Sequence, residues 1–455
     1  GVQRTPTGAD SGPLGSKRQY IDPPAAKEQV FRREIAADQR QAASIFRVFW
    51  GKMHAEGVEP EAFDELAGRG VQFCGWTQIA GMQTRLMRQM RGQRFTAYMS
   101  GIQGCGLRWV CPVCTMKKAE TDRASVNDGL AGARSLGLFP VMLTLTTRHT
   151  KKDSAAGLLA AILAAEQGLK GVKAWRRLPF EGFARVLEWT YGRHGHHPHF
   201  HIIILMRAES EADAVDAVRS IQPAYMRQLT AAGRDGTTPA AWEHSFDVRG
   251  AATAENYITK WGAAEELTGT QKKDDSAGLT PWQLLRLSRT APAVGKRSAD
   301  QERQRFAAIW WEIIQATKGK VQLYRSEGFK RIAKEYRENQ PAEAPMPDPE
   351  EVVALGQRQR GEDASPLWNL VRHRTLVVRE VAENHKDLED AQRAVWAAIM
   401  DAPTDQEIFE NNEDDFGPVI ENDEPRLIHT PQIDASPASS FVDHQGGQDS
   451  RRSKI

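Results

Sequence analysis

The segment FARVLEWTYGRHGHHPHFHIIILM, residues 183–206, contains two β-patterned stretches separated by a short polar one. Phe183–Thr190 and His199–Met206 are each predicted to form a strand, because alternating side chains rich in β-branched and aromatic residues are typical of strands. The stretch YGRHGHHP between them predicts a hairpin loop, so the two strands should be antiparallel neighbours. This hairpin is the centre of the predicted sheet.

Five of the chain's 12 histidines lie in one stretch of eight residues of this hairpin, far more than an even spread over 455 residues would place there. They are His194, His196, His197, His199 and His201. On a strand, His199 and His201 share one face while Phe200 points to the other. A turn near His194 would place Glu188 roughly opposite His201. The alternative is a solvated strand face, or loop histidines that bind metal adventitiously.

Two imidazoles and one carboxylate, from His199, His201 and Glu188, make a three-ligand metal site that leaves coordination positions open. Mixed nitrogen and oxygen ligands favour Mn²⁺ or Mg²⁺ over a thiolate-loving ion. The open positions suit a phosphate oxygen. The sequence therefore predicts a catalytic metal centre on the hairpin.

The flanking segments predict an α+β fold with an antiparallel β-sheet flanked by helices, an N-terminal zinc-binding segment and helical C-terminal additions. Around the hairpin the patterns predict a strand at Phe139–Thr147, helices at Ser154–Lys173 and Ala212–Ala232, a short strand at Ser245–Val248 and a helix at Ala254–Leu267. The resulting order β-α-β-β-α-β-α is typical of an α+β domain.

All four cysteines lie between positions 74 and 114, and three of them stand in the run GCGLRWVCPVC. Cys111 and Cys114 form a CxxC pair that can direct two thiolates at one ion, with Cys105 as a third ligand. Cys74 is the expected fourth ligand, and His54 or His149 are substitutes. The cluster predicts structural Zn²⁺, against unligated thiols or, less favoured, a redox pair.

Net charge is only +1, but residues 401–455 carry −9 and the preceding 400 residues carry +10. The basic residues cluster, with no acid between Gly81 and Lys118. The candidate DNA-binding residues of this cluster are Arg85, Arg88, Arg91, Arg94, Arg108, Lys117 and Lys118. Met82–Met90 is predicted to be a helix with arginines three apart on one stripe, so the cluster is either a DNA-binding surface or a solvated helix face.

In order and kind, the strand VMLTLTT, the segment HPHFHIIIL and the helix ENYITKW resemble the replication initiators of rolling-circle plasmids and phages, members of the HUH endonuclease superfamily. His199-Phe200-His201 is similar to the His-hydrophobic-His triplet of that superfamily, CGLRWVCPVC to the cysteine-rich segment before the catalytic strands, and ENYITKW to the helix that carries the tyrosine. LTPWQLL, Leu279–Leu285, resembles a downstream stretch. The likeness spans about residues 70–335. It implies a DNA-nicking and joining enzyme whose tyrosine becomes linked to a 5′-phosphate and frees a 3′-hydroxyl.

Tyr257 is the expected nucleophile and Lys260, one turn later, the expected phosphate-neutralising residue; the alternative for Tyr257 is a half-buried packing role. Some family members have Tyr-x-x-Lys-Tyr with the second tyrosine catalytic, and here Trp261 stands at that place. Their glutamate four residues before the tyrosine is poorly matched by Glu255. Glu265 and Glu266 are the candidate bases for the closing step.

Other functions remain open: a transposase or relaxase of the same superfamily, a metal-dependent hydrolase that activates water, or a non-enzymatic zinc-containing DNA-binding protein. The expected partners are single-stranded or hairpin origin DNA and host replication proteins such as a helicase. No membrane partner is expected, because no stretch approaches about 18 consecutive apolar residues, and a bacterial cytoplasmic location follows.

Composition and pattern divide the chain into seven predicted regions. They are a disordered leader (1–25), a helical, basic, zinc-binding region (26–135), a nicking domain (136–270), a helical extension (271–340), a Pro-rich linker (341–350), a helical region (351–400) and an acidic disordered tail (401–455).

Overall fold

The computed structural model describes residues 23–57, 62–92, 94–254, 278–341 and 347–400. Several predicted features lie outside these residues: Tyr257, Lys260, Glu255, Trp261, Glu265, Glu266, most of the leader and the whole tail. The predicted helix at Ala254–Leu267 is therefore described only at its first residue.

The described residues form an α+β structure with antiparallel sheets flanked by helices. The strands are β1 (Gln83–Arg91), β2 (Arg94–Ser100), β3 (Phe139–Leu145), β4 (Phe180–Gly192), β5 (Gly195–Met206), β6 (Phe246–Arg249), β7 (Leu323–Arg325) and β8 (Glu350–Gln357). The helices before the hairpin are α1 (Pro23–Ala55), α2 (Ala62–Phe73), α3 (Pro112–Ser135), α4 (Ala155–Gly171) and α5 (Lys173–Arg176). Those after it are α6 (Glu211–Arg219), α7 (Gln222–Ala231), α8 (Pro239–His244), α9 (Pro281–Thr290), α10 (Ala299–Ala316), α11 (Glu327–Glu338), α12 (Pro366–Val371), α13 (Thr375–Asn384) and α14 (Leu388–Met400), with a 3-10 turn at Arg372–Arg374.

The larger sheet has five strands in the order β6-β3-β5-β4-β7, and every neighbouring pair is antiparallel. The predicted antiparallel hairpin is confirmed as β4 and β5. Its connection is tighter than the predicted loop, because pairing continues to Gly192 opposite Gly195 and only Arg193 and His194 form the turn. That register places Glu188 opposite His199, so the expectation that Glu188 lies roughly opposite His201 is off by two residues.

The two faces of this sheet differ in what covers them. The core face carries Leu143, Phe200 and Ile202, all buried in the main hydrophobic cluster with residues of α1, α4, α7 and α10. The opposite face, called here the histidine face, is apolar at one end, where Ile203 and Leu205 pack under α3 and α11. At its other end the apolar cover stops and polar side chains begin, which positions the candidate site.

The prediction of a helix at Met82–Met90 is wrong, because these residues form most of β1. This strand lies at the centre of a three-stranded antiparallel sheet in the order β2-β1-β8. The helical expectation for 351–400 is wrong at its start for the same reason, since Glu350–Gln357 is the strand that pairs with β1. Helices follow from Pro366 onward, within the predicted helical region.

Helix α13 covers the open edge of this small sheet. The Ala97 amide donates to Glu383 Oε1 at 2.6 Å, and Arg379 Nε donates to the Ala97 carbonyl at 2.8 Å. Both carboxylate oxygens of Glu383 also accept a hydrogen bond from Arg32 Nη1 of α1. Side chains thus satisfy backbone groups that would otherwise be open to pairing with another chain. In the part of the chain that the structure describes, no helix is long and apolar enough to span a membrane.

Candidate metal centre and nucleic-acid surfaces

Glu188, His199 and His201 meet on the histidine face, as the sequence predicts. Glu188 Oε2 lies 3.3 Å from His199 Nε2 and 3.5 Å from His201 Nε2. The side chains are 25%, 12% and 19% exposed respectively, so the cluster is neither sealed in the core nor fully solvated. One ligand atom from each residue lies close enough to the others to share a single ion.

The other nitrogen of each imidazole is engaged away from Glu188. His201 Nδ1 is 3.0 Å from the Thr144 hydroxyl of β3, directly across the strand pair, and His199 Nδ1 is 3.2 Å from the His197 carbonyl. Partners of this kind orient a histidine ligand and leave Nε2 available to the ion. The residues therefore fit a divalent metal in both donor type and orientation.

Two opposing effects act on the Glu188 carboxyl group. Burial favours its neutral form, but hydrogen bonds from His199 and His201 outweigh burial and hold the pKa of Glu188 below its ordinary value. The group is thus a carboxylate at neutral pH, which is the form that ligates a metal.

The other three histidines of the hairpin lie in different environments. His196 lies on the core face, where its Nε2 is 2.8 Å from Glu312 and its Nδ1 accepts a bond from Trp189. His197 lies beside His199, and burial, with a smaller effect of the neighbouring imidazoles, lowers the pKa of His197 to about 3. His194 is exposed in the turn. Only two of the five therefore join Glu188.

A groove of about 400 Å³ opens beside the cluster, between the end of β6 and the middle of β3. Its lining comprises Met142, Thr144, His201, Asp247, Arg249 and Thr253. Thr253 stands four residues before Tyr257 along the chain, and Tyr257 itself lies outside the described residues.

The four cysteines form a second cluster. The Sγ atoms of Cys74 and Cys114 are 3.5 Å apart, those of Cys105 and Cys114 3.6 Å, and those of Cys74 and Cys111 3.7 Å. Four thiolates arranged tetrahedrally at about 2.3 Å from one ion would be about 3.8 Å apart. The spacing fits a shared ion, and Cys74 rather than His54 or His149 is the fourth member.

Local backbone structure brings the thiols together. Cys111 precedes the first turn of α3 and Cys114 lies within it, with Pro112 at the first helical position, where its missing N–H costs nothing. The Cys105 amide donates to Cys74 Sγ at 3.4 Å, and the Gly106 amide to Cys114 Sγ at 3.3 Å. Gly106 has φ +69°, a conformation that a glycine adopts readily.

The pKa of the Cys114 thiol is lowered. The largest causes are hydrogen bonds from Cys105, Cys111 and Cys74, and the Gly106 amide adds a smaller one. A lowered pKa favours the thiolate, which is the form that binds metal.

The candidate DNA-binding residues do not form the single helical stripe that was predicted. Arg88 is 1% exposed and donates to Glu350 and to the carbonyls of His385, Lys386 and Asp387, so it stabilises the small sheet and is not part of an exposed surface. The expectation that Arg88 binds DNA is wrong for this reason.

Arg85, Arg91 and Arg94 lie on the opposite face of the β1-β2 pair, because side chains alternate along a strand. Arg91 and Arg94 are exposed, and Arg85 is paired with Glu351 at 2.7 Å.

The other three candidates belong to the cysteine-rich segment. Arg108 pairs with the buried Asp122 at 2.6 Å, which ties that segment to α3. Lys117 and Lys118 are exposed on α3.

Three of the described tyrosines can be compared with Tyr257 as nucleophiles. Tyr225 is buried, its hydroxyl donates to the Thr146 carbonyl at 2.8 Å, and burial raises its pKa. Tyr191 lies edge-on to His196, away from the histidine face. Tyr324 of β7 packs near Arg185 and Phe183 of the core face. None of the three is placed to reach the metal cluster.

Sequence reasoning missed Thr144 as a partner of the site. The signal was present in the sequence. Met142 and Thr144 share one face of β3, Thr146 continues the alternation just after it, and polar residues on such a stripe mark where the apolar cover ends. What the pattern lacked was the pairing of β3 with β5, which brings Thr144 opposite His201.

The described structure is thus an α+β protein with two groups of side chains that could hold a metal ion. One is the three-ligand cluster beside a groove, and the other is the four-cysteine cluster. Residues 97–213 match the family described as "Replication protein". This stretch contains Cys105, Cys111 and Cys114 and all of Glu188, His199 and His201.

Two curated proteins are similar to part of the chain. One is "Protein rep" of Streptomyces lividans, 28% identical over 28% of this chain and 35% of the relative. The other is "Neomycin resistance protein" of Streptomyces cyanogenus, 26% identical over 26% of this chain and 33% of the relative. The chain spans about a third of the length of each. No solved structure matches. The resemblance to plasmid replication initiators is thereby confirmed.

Proposed function

We propose that this chain initiates rolling-circle plasmid replication by nicking one DNA strand at the origin and later rejoining strands, as an HUH-type endonuclease. The observation that carries the proposal is the partly exposed cluster of Glu188, His199 and His201 on the sheet, within the segment similar to replication proteins. The zinc-containing DNA-binding alternative does not require this cluster.

The donor set suits Mn²⁺ or Mg²⁺, which when bound would polarise the non-bridging oxygens of the scissile phosphate. The residues of the chain do the rest. Glu188 holds the two imidazole Nε2 atoms on one side, Thr144 fixes the His201 ring, and the groove beside His201 leaves room for a nucleotide next to the scissile bond.

In the proposed chemical step, Tyr257 attacks the scissile phosphate. Its phenolic oxygen forms a bond to phosphorus while the bond from phosphorus to the 3′ oxygen breaks, the phenol loses its proton and the 3′ oxygen gains one. One phosphoester replaces another, so the energy needed to rejoin strands is retained in the tyrosine link. Lys260 would neutralise phosphate charge, and Glu265 or Glu266 would serve as the base in the closing step.

We assign Zn²⁺ to the four-cysteine cluster as a structural ion, because a closed set of four thiolates is typical of such sites. Arg85, Arg91, Arg94, Lys117 and Lys118 are proposed to contact DNA phosphates. The proposed partner is single-stranded or hairpin origin DNA, and a host helicase is expected to unwind the duplex from the nick.

The deciding experiment incubates the full chain and its Tyr257→Phe variant with Mn²⁺ and single-stranded oligonucleotides that tile the origin of the encoding plasmid. Wild type should cleave one of them and run as a covalent protein-DNA adduct on a denaturing gel. The variant should retain binding but form no adduct, because it lacks only the phenolic oxygen. Tyr324→Phe is the matched control, since this tyrosine packs by the core face, and it should react like wild type.

Three results would overturn the assignment in different ways. Cleavage by the Tyr257→Phe variant without an adduct would establish a hydrolase that activates water. An adduct mapped to another tyrosine would move the nucleophile and keep the reaction. Binding without any cleavage by wild type would leave a zinc-containing DNA-binding protein.

A further inference from the structure

The loop between β3 and α4 and the β4-β5 turn bring a group of exposed cations to the border of the metal centre. This group, called here the cationic rim, consists of Arg148, Lys151, Lys152 and Arg193, all exposed. None of them belongs to the basic cluster that the sequence singled out between Gly81 and Lys118.

The loop is held rigidly by one acid. Asp153 Oδ2 accepts hydrogen bonds from the Thr150 amide at 2.7 Å and from the Thr150 hydroxyl at 2.9 Å, and Asp153 Oδ1 accepts one from Arg234 at 2.8 Å. Arg234 also donates to the Arg148 carbonyl at 2.6 Å. Arg234, followed by the Thr150 groups, lowers the pKa of Asp153 to about 2. The ionised carboxylate therefore stabilises the loop by accepting these hydrogen bonds.

Two contacts fix the loop against the hairpin that carries the metal ligands. Gly195 has φ +93°, and a Cβ there would lie 3.1 Å from Lys151 Cα, so the loop backbone rests on the turn. The His149 ring stacks on the His197 ring with centroids 4.7 Å apart, and the His197 ring lies 5.0 Å from that of His199. The loop that carries Arg148, Lys151 and Lys152 is therefore linked to the ligand His199 through the rings of His149 and His197.

The charges of the rim are largely uncompensated. Among the residues that the structure describes, Lys151, Lys152 and Arg193 form no ion pair with a carboxylate, and Arg148 has a single exposed pairing with Asp235 at 3.4 Å. Other surface lysines do form ion pairs, as Lys330 does with Glu327 and Lys334 with Glu338. Because the loop backbone that carries three of these cations is held in place, it loses little further conformational entropy when an anion binds.

We infer that the cationic rim binds the phosphate backbone of single-stranded DNA immediately beside the phosphate held at the metal centre. The inference rests on the proposed nicking function and adds the surface that positions the strand. The groove at His201 lies on one side of the metal cluster and the rim lies beyond His199 on the other, so a strand crossing the site would run from one to the other.

The test measures binding separately from cleavage. Lys151→Ala, Lys152→Ala and Arg193→Ala are combined in one variant, and the combination of Lys330→Ala, Lys334→Ala and Arg393→Ala is the control matched in charge. Fluorescence anisotropy with a mixed-sequence, fluorescein-labelled single strand of about 20 nucleotides is recorded in EDTA over a salt series. Each lost phosphate contact should lower the salt slope by about 0.7, so the rim variant should lose about 2 in slope and at least about tenfold in affinity at low salt.

The arginine variant, Lys151→Arg with Lys152→Arg, should bind like wild type, and thermal melting should show that the rim variant is folded. An unchanged affinity and salt slope in the rim variant would overturn the inference, as would an equal loss in the control. Equal losses on single-stranded and duplex probes would overturn the single-strand assignment. If wild type binds the probe but never cleaves origin DNA, the proposed function fails and the rim is judged by binding alone.

Discussion

The two ligand clusters of this chain differ in closure, support and surroundings. The four-cysteine cluster supplies a complete tetrahedral set, with two of its thiols buried and two partly buried. The cluster of Glu188, His199 and His201 supplies three ligands, remains partly exposed and borders a groove. A complete set leaves no position for a substrate, whereas an incomplete one does.

Their supports differ as well. Amide groups of Cys105 and Gly106 donate to sulfur atoms, so the backbone itself stabilises thiolate charge. The Thr144 hydroxyl and the His197 carbonyl instead orient the imidazoles. One cluster therefore joins α2, the cysteine loop and α3, while the other presents its ligand atoms beside a groove.

The largest effect is expected from His199→Ala or His201→Ala. Each should reduce strand cleavage by more than about 100-fold, the upper end of what outer partners of a metal site contribute, and leave DNA affinity nearly unchanged because cations supply most of it. Cleavage at saturating Mn²⁺ and anisotropy in EDTA measure the two separately. If a folded variant lost binding and cleavage in parallel, the result would contradict the proposal that this cluster holds a catalytic metal.

Cys111→Ser should act on stability rather than on chemistry. Losing one of four thiolates should release Zn²⁺ and lower the free energy of unfolding by more than about 4 kcal/mol, because metal-binding energy in such a site is folding energy. Elemental analysis and urea unfolding check this, with Thr115→Ser on the same helix turn as a milder comparison. If the wild-type protein purified without chelator carried no zinc, the result would contradict the proposal that the four cysteines hold a structural zinc ion.

Thr144→Val should have the smallest effect and should touch only the open cluster. Valine keeps the shape of threonine but removes the hydroxyl beside His201 Nδ1, so affinity for Mn²⁺ should fall by about tenfold while zinc content stays the same. Thr144→Ser should restore affinity. Metal titration followed by cleavage rate is the measurement, and equal affinity in all three proteins would show that Thr144 does not orient the ligand.

The contrast between β1 and β5 shows where sequence patterns succeed. In β5 the alternation of His199, Phe200 and His201 is local, and the facing of these side chains follows from strand geometry. In β1 the arginines are three apart, which also suits a helix, and the residues that decide the matter are the partners in β8, more than 250 positions away. Arg88 pairs with Glu350, and no local pattern can indicate such a partner.

The register of the hairpin is a smaller case of the same kind. The sequence indicates a turn near His194, but a tight two-residue turn and a longer loop differ in which residues oppose each other. The tight turn places Glu188 opposite His199, and its carboxylate reaches both imidazoles from there.

The sequence by itself determined the ligand types, the hairpin that carries Glu188, His199 and His201, and the four thiols, because residue chemistry and strand periodicity are properties of short segments. Tertiary structure alone decided that Thr144 orients His201, that Arg88 is buried while Arg91 is exposed, and that the cationic rim lies beside the metal centre. Each of these depends on contacts between segments far apart in the chain, and such contacts are selected by the packing of the whole fold rather than by local preference.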